Sequence, residues 1–478
     1  PRRNDPFRGD PAREYLGNER LGKTGVERLA EPLLRGSRGV VQRTLDGEVL
    51  EDQPAQPGRD VHLTIHAGLQ DALYDLLAER IPPLPYSAGG TIVVLDVATR
   101  DCLALVSYPG FAPDELRRNY TRLRDDTRHQ PLRFRAVANQ YMPGSIVKPL
   151  VCLAGLDSGV ITLDTRFDCQ GYLFPNILNK WRCWPNRSGT RMRHGLLDAT
   201  GGIKHSCNIF MYQTGERLGV EGLNGYFDMV GFGNVTSTGL IEEARGINPS
   251  PQLLLEKGQR PTPGYARLYS IGQAELSVTP IQAANLMAIY ASGVRKHVNL
   301  VRERRDDISW TLPGSTAAWA AIRRGLYGVV NDADGTAHRT AYVAPDCGYA
   351  LCGKTGSAEV GAGAIRYRIR YGESDALEQV VTVPATKLSE ALEWFVERYP
   401  HEAVDPRDIT VAERWPNRPP EHGRKHSHAW FAGYLAPLAA NGQPDPQRTP
   451  PIAFSVLVEY GGSGGRVSGP IGQAVVHT

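Results

Sequence analysis

No stretch of the 478 residues approaches the roughly 20 consecutive apolar residues that a bilayer-spanning helix requires. The chain opens instead on a polar segment rich in Arg and Pro, residues 1–13. A formal net charge of only +3 argues against nucleic acid as a partner. No internal repeat is evident. The seven cysteines are scattered, with no Cys-x-x-Cys spacing and no histidine cluster beside them, so no metal site and no cofactor is expected. Their odd number leaves at least one thiol free.

What is present is ordinary for a water-soluble globular protein: 41% hydrophobic and 22% charged residues. The length exceeds one typical domain and suffices for a sizeable core. Cys169 and Cys183 flank the turn-rich stretch 171–181, and a local disulfide between them is the first expectation. Cys347 and Cys352 form a weaker second pair, with buried free thiols as the alternative.

One stretch organises the rest: Met142-Pro143-Gly144-Ser145-Ile146-Val147-Lys148-Pro149. Residues three apart share a helix face, so the Ser145 hydroxyl can meet the Lys148 amine, a nucleophile beside a base. The run from Ile146 to Leu156 is apolar on nearly all sides and reads as a buried helix. Pro149 cannot donate the helical bond to the Ser145 carbonyl, which predicts a tight, irregular first turn. Ser-x-x-Lys alone is weak, because most such pairs are solvated helix residues. Two further matches follow in order, Ser206-Cys207-Asn208 and Lys354-Thr355-Gly356-Ser357, which together make the three-part signature of serine acyl transfer.

On these residues the chain resembles the penicillin-binding proteins, and within them the class B transpeptidases. Other blocks carry the likeness further: Gly25-Val26-Glu27, Leu33-Leu34-Arg35-Gly36, residues 58–70, Arg193-His194-Gly195, Gly272-Gln273, Val278-Thr279-Pro280 with Gln282, and residues 428–434. The look of Arg182-Cys183-Trp184 followed by Arg193-His194-Gly195 leans toward an elongation rather than a division role.

The resemblance implies a peptidoglycan D,D-transpeptidase that cross-links stem peptides and is inhibited by β-lactams. Ser145 would attack the D-Ala-D-Ala carbonyl. Lys148 would accept its proton once burial and the like charge of Lys354 had lowered its pKa from about 10.4. Ser206 would relay a proton to the leaving group, and Asn208 would hold the donor amide and Lys148. Lys354 would attract the terminal carboxylate, with Thr355 and Ser357 adding hydroxyls. Gly356 would keep the strand bare for an extended peptide. The backbone N–H groups of Ser145 and Ser357 are the expected oxyanion hole. Cys207 reads as a packed thiol, His194 as a structural hydrogen-bonding residue, and Trp181, Trp184, Trp430 and Phe431 as core or cleft wall.

The implied fold is α/β (α+β): an antiparallel sheet packed with helices, plus a partly extended N-terminal pedestal. Boundaries are expected at residues 1–62 for an incomplete pedestal and 63–478 for the transpeptidase domain, with an insert at about 360–427. Expected strands are 39–43, 61–65, 91–96, 102–107, 349–352 running into Lys354, 429–435 and 452–459; the 91–107 pair should form an edge hairpin. Expected helices are 26–34, 69–81, 281–290 and 317–330, with 388–398 inside the insert. The insert also holds a Pro- and charge-rich tail at 415–425 and reads as a lid or docking element.

The resemblance further implies a periplasmic ectodomain on the outer side of the bacterial inner membrane. A membrane anchor and part of the pedestal would precede it, and a membrane glycosyltransferase would be its partner. Two other readings remain open here. A β-lactamase or penicillin sensor would share the three motifs, and a scaffold would serve mainly to activate that glycosyltransferase.

Overall fold

The computed structural model describes residues 7, 9–10, 12–16, 19–84, 87–126, 128–177, 180–188, 192–359, 365–371, 379–385, 392–393, 395–396, 409–414 and 427–478. In chain order the main elements are α1 (Gly25–Leu34), β1 (Val40–Arg43), β2 (Val49–Gln53), α2 (Ala67–Arg80), β3 (Gly90–Asp96), β4 (Cys102–Tyr108), α3 (Lys148–Asp157) and α4 (Asn208–Met229). They continue with α5 (Pro280–Ser292), α6 (Thr316–Asn331), β5 (Tyr349–Glu359), β6 (Ile365–Tyr371), β7 (Gln379–Ala385), β8 (Ile409–Arg414), β9 (Ser427–Pro437), β10 (Ile452–Val458) and α7 (Gly469–His477).

A five-stranded antiparallel sheet in the order β4-β3-β10-β9-β5 forms the frame. Side chains alternate across a strand, and β3 shows it: Ile92 and Val94 join Leu73 and Leu77 of α2 in one apolar cluster. Val93 and Leu95 join Ile281 and Ala284 of α5 in another. The sheet is therefore covered on both faces, and β3 is buried from Gly90 to Leu95, which explains its unbroken apolar run. The antiparallel sheet with packed helices agrees with the expected fold class, and β3–β4 is the edge hairpin foreseen.

The helix beginnings follow from their sequences. Thr279 and Gln282 cap the start of α5 reciprocally, Thr279 Oγ1 accepting from the Gln282 N–H and Gln282 Oε1 from the Thr279 N–H. Pro280 fills the first turn, where its missing N–H costs nothing. Helix α4 changes direction at Gly219, whose φ of 68° only glycine adopts without strain.

Three local expectations change. Residues 61–65 make a single bridge, Leu63 with Val301, because Thr64 is tied by its hydroxyl to the carbonyls of Cys102 and Asn299 instead of joining a strand. Strand β1 pairs with β2, a partner that the polar sequence Val49–Gln53 gives no sign of. Within the insert, β6 lies between β7 and β8 in a separate antiparallel sheet. Of the helix expected at 388–398, positions 392–393 and 395–396 are described, and they are helical. The tail at 415–425 lies outside the described residues.

Candidate active site

The irregular turn predicted around the serine is a 3-10 turn over Gly144–Val147, passing into α3 at Lys148. It is gripped from several sides by backbone. The Gly144 N–H donates to the Gly272 carbonyl at 2.9 Å. A Cβ on Gly272, whose φ is +72°, would lie 2.1 Å from the Gly144 oxygen, so both residues must be glycine for the turn to seat there. On the other side the turn abuts β5, where a Cβ on Gly144 would stand 3.2 Å from the Ser357 oxygen.

Lys148 is fully buried beneath the turn. Its Nζ donates to the Ser206 carbonyl at 2.7 Å, to Ser206 Oγ at 3.1 Å and to Asn208 Oδ1 at 2.7 Å. Ser206 is placed by an unusual backbone with φ of 52°, where the short helix Ala199–Lys204 ends and just before α4 starts at Asn208. Lys354 is also fully buried, and its Nζ donates to the Thr355 carbonyl at 3.1 Å. Burial first, and then the charge of Lys148, push the Lys354 amine well below its ordinary range.

The three motifs meet in one cleft of about 270 Å³, lined by Ser145, Ser206, Asn208, Thr355 and Ser357 among others. Lys148 and Lys354 lie under its floor, not in its lining. The surroundings of Gly356 give a further reason for it. A Cβ there would meet the Pro143 oxygen and Trp430 Cβ at 3.0 Å and Ile146 Cγ2 at 3.1 Å, so the glycine lets the strand pack against the serine turn. Ser357 Oγ accepts from the Gly464 N–H at 3.1 Å, which ties β5 to the glycine-rich tail.

Several lining residues escaped the sequence motifs: Thr336, Ser463 and Gly465. The run Gly461-Gly462-Ser463-Gly464-Gly465 was the available signal, since so bare a stretch marks close backbone approach. A Cβ on Gly464 would lie 2.2 Å from the Gly356 oxygen. Trp184 is cleft wall, its Nε1 donating to the His205 carbonyl at 2.8 Å. Trp430 and Phe431 are fully buried core.

The cysteines overturn two expectations. All seven are free, so neither Cys169–Cys183 nor Cys347–Cys352 is a disulfide. Cys169, Cys183, His194 and Cys207 instead converge, with all four donor atoms within 4.8 Å of one another. Cys183 Sγ lies 3.8 Å from Cys207 Sγ, and His194 Nδ1 lies 3.6 and 3.5 Å from the sulfurs of Cys169 and Cys183. Ideal tetrahedral Zn²⁺ with bonds of about 2.3 Å to sulfur and 2.0–2.1 Å to nitrogen demands edges of about 3.8 and 3.6 Å. The cluster therefore fits a tetrahedral S₃N ion site, contrary to the expectation of no metal.

The electrostatics favour the thiolate such a site needs at Cys183, whereas His194 would have to give up a proton to bind an ion. Burial opposes a Cys183 thiolate, but hydrogen bonds from Cys169, Cys207 and His194 outweigh it and lower its pKa. Burial likewise opposes the His194 imidazolium, yet the thiols raise it to about 9. Four protein ligands would leave no open position, so a bound ion would be structural rather than catalytic. The Asn208 N–H donates to Cys183 Sγ at 3.3 Å, which attaches the cluster to the residue holding Lys148.

Residues 90–368 match the family model described as penicillin binding protein transpeptidase domain. The chain is 30% identical over 369 residues to the peptidoglycan D,D-transpeptidase MrdA of Escherichia coli K12, an overlap of 72% of this chain and 56% of that protein. Thus it spans little more than half the length of that relative. The solved structure of Pseudomonas aeruginosa PBP2 in complex with WCK 5153 superposes with a TM-score of 0.68 at 27% identity, covering 97% of this chain and 85% of that one. A chain from a peptidoglycan synthase complex that coordinates polymerization and crosslinking gives 0.68 at 26% identity, covering 97% and 70%. With the matched model covering more than half of its length, and with the three motifs gathered at one cleft, the chain belongs to the penicillin-binding protein transpeptidase family.

Proposed function

We propose that the chain is a serine-type peptidoglycan D,D-transpeptidase of the elongation type, inhibited by β-lactams. The observation that carries this is the meeting of Ser145, Ser206, Asn208, Thr355 and Ser357 around one cleft with two buried lysines beneath. The likeness to MrdA and PBP2 supports the same reading.

In the first half-reaction Ser145 Oγ attacks the carbonyl of the D-Ala-D-Ala bond as its proton passes to the neutral Lys148 amine. The C–N bond then breaks, and the terminal alanine leaves with a proton relayed through Ser206. In the second half-reaction the amine of a neighbouring stem attacks the ester, loses a proton by the same relay and frees Ser145. The oxyanion would rest on the backbone N–H groups of Ser145 and Ser357. Thr355 and Ser357 would bind the donor carboxylate, with Lys354 contributing from below.

Hydrolysis in place of transfer needs an activated water, and no Asp or Glu stands among the described residues lining the cleft. That favours transfer over a β-lactamase reaction. Residues 1–62 we assign to a pedestal and 63–478 to the transpeptidase unit, with the insert at 360–427 as a lid or docking element. A peptidoglycan-polymerising partner is proposed by likeness to the synthase complex, and periplasmic residence by the family resemblance to MrdA.

The test is covalent labelling by a fluorescent penicillin, followed by mass spectrometry of the acylated peptide. The label is expected on Ser145 and is expected to vanish in Ser145→Ala. Undiminished labelling of that variant would refute the assignment.

A further inference from the structure

Linked through Tyr141 to the segment that leads into the serine turn lies a buried polar group that the reaction does not use. Glu459 follows directly on β10 and is 6% exposed. Its carboxylate accepts from Arg135 Nε at 3.1 Å, from the Tyr141 hydroxyl at 2.7 Å and from Asn139 Nδ2 at 3.3 Å. Arg135 is fully buried, and its other nitrogens donate to the carbonyls of His129 and Gln130. Even the neighbouring backbone is shaped for this guanidinium, since a Cβ on Gly89 would lie 2.8 Å from Arg135 Nε.

A buried ion pair is costly to assemble, and an apolar replacement of similar volume often does as well for stability alone. Its place in the chain suggests another use. Asn139 and Tyr141 open the short extended segment that ends in Gly144-Ser145. Tyr141 is bonded to Val278 through its backbone in both directions at 2.9 Å, and its ring meets those of His428 and Trp430 edge-on at 5.0 and 6.1 Å. Trp430 Nε1 in turn donates to the Met142 carbonyl at 3.0 Å. The Tyr141 hydroxyl fixes where that ring stands, and the ring fixes the indole that holds Met142.

We infer that Glu459 and Tyr141 are positioning residues for the nucleophile: the buried carboxylate, held by Arg135, sets the Tyr141 ring and so the place of Ser145 relative to Lys148 and Ser357. Neither residue touches substrate. Nearby elements are wedged by the same contacts, because the Glu459 N–H donates to the Gly89 carbonyl at 2.9 Å. The inference rests on Ser145 being the nucleophile. Misplacing a reacting group by about 1 Å costs on the order of a hundredfold in rate, so small displacements of this support should register in acylation.

The experiment measures acylation of the 478-residue chain by a chromogenic β-lactam over a concentration series, separating the non-covalent dissociation constant from the first-order rate constant of acylation. Tyr141→Phe keeps the ring and removes only the hydroxyl. It is expected to slow the first-order step about tenfold while leaving the dissociation constant within twofold of wild type. Glu459→Gln is expected to slow it more, and Tyr141→Phe decides the matter if that variant does not fold.

A role confined to stability would lower the melting temperature or the fraction of active protein but would leave the first-order constant of each active molecule unchanged. An unchanged constant in Tyr141→Phe, or a loss confined to the dissociation constant, would overturn the inference. Ser145→Ala labelling separates this from the functional assignment: loss of label there with a wild-type rate in Tyr141→Phe condemns only the positioning role.

Discussion

Lys148 and Lys354 are both fully buried, and the charge of Lys148 reaches Lys354. Lys354 answers by losing basicity, through burial first and Lys148 second. Its amine binds a proton less readily in the native state than in the unfolded chain, so stability rises with pH between the depressed native pKa and about 10.5. The same sign governs the chemistry. As pH falls, Lys354 takes up its proton and positive charge accumulates beneath the cleft. The acylation rate by a penicillin is therefore expected to fall on the acid side in a single titration, measured as rate against pH with the ligand below saturation. Lys354→Met, which removes the amine of depressed basicity, is expected to remove that titration from the profile.

At the scale of elements, much of the site was legible because its signals are local. Pro149 and Gly144 announce an irregular turn, and the turn is there. Alternation and apolar runs announce β3, β4, β9 and β10 to within a residue or two. What was not legible depends on contacts between distant segments. Cys169, Cys183, His194 and Cys207 are spread over loops, a short strand and a helix start, without the compact spacing that betrays a metal site from sequence. Gly356 shows a reason the sequence could not supply, because only the packed turn reveals which neighbour also needs the glycine.

The S₃N cluster makes its own prediction. Purified protein is expected to carry about one zinc per chain by atomic emission. Chelation or Cys183→Ser should release it and slow penicillin labelling at least severalfold, since the Asn208 N–H hangs on that sulfur. Labelling at full speed in metal-free protein would show the cluster to be dispensable to the site.

At the scale of the whole molecule, among the described residues, the N-terminal part is joined to the rest of the chain by apolar and polar contacts together. Leu29 of α1 enters the apolar cluster of Val93, Leu95 and Ile281. The Gly25 N–H donates to Glu242 Oε1 at 2.7 Å, and Arg304 donates to the Leu29 carbonyl at 3.2 Å. Leu29→Ala is expected to cost about 2 kcal/mol, the lower end for a buried leucine at a partly yielding site. Limited proteolysis should then cut near residues 20–40 sooner than in wild type, while penicillin labelling remains close to normal.

The sheet ends at β5, whose outer side faces the cleft instead of another strand. A ligand gripped along that border would be held by peptide groups, and mutation exchanges side chains but leaves peptide groups in place. Escape from that part of the grip would have to come by relocating the strand itself, through residues at its back or its ends, so resistance substitutions should include positions away from the surface the drug touches.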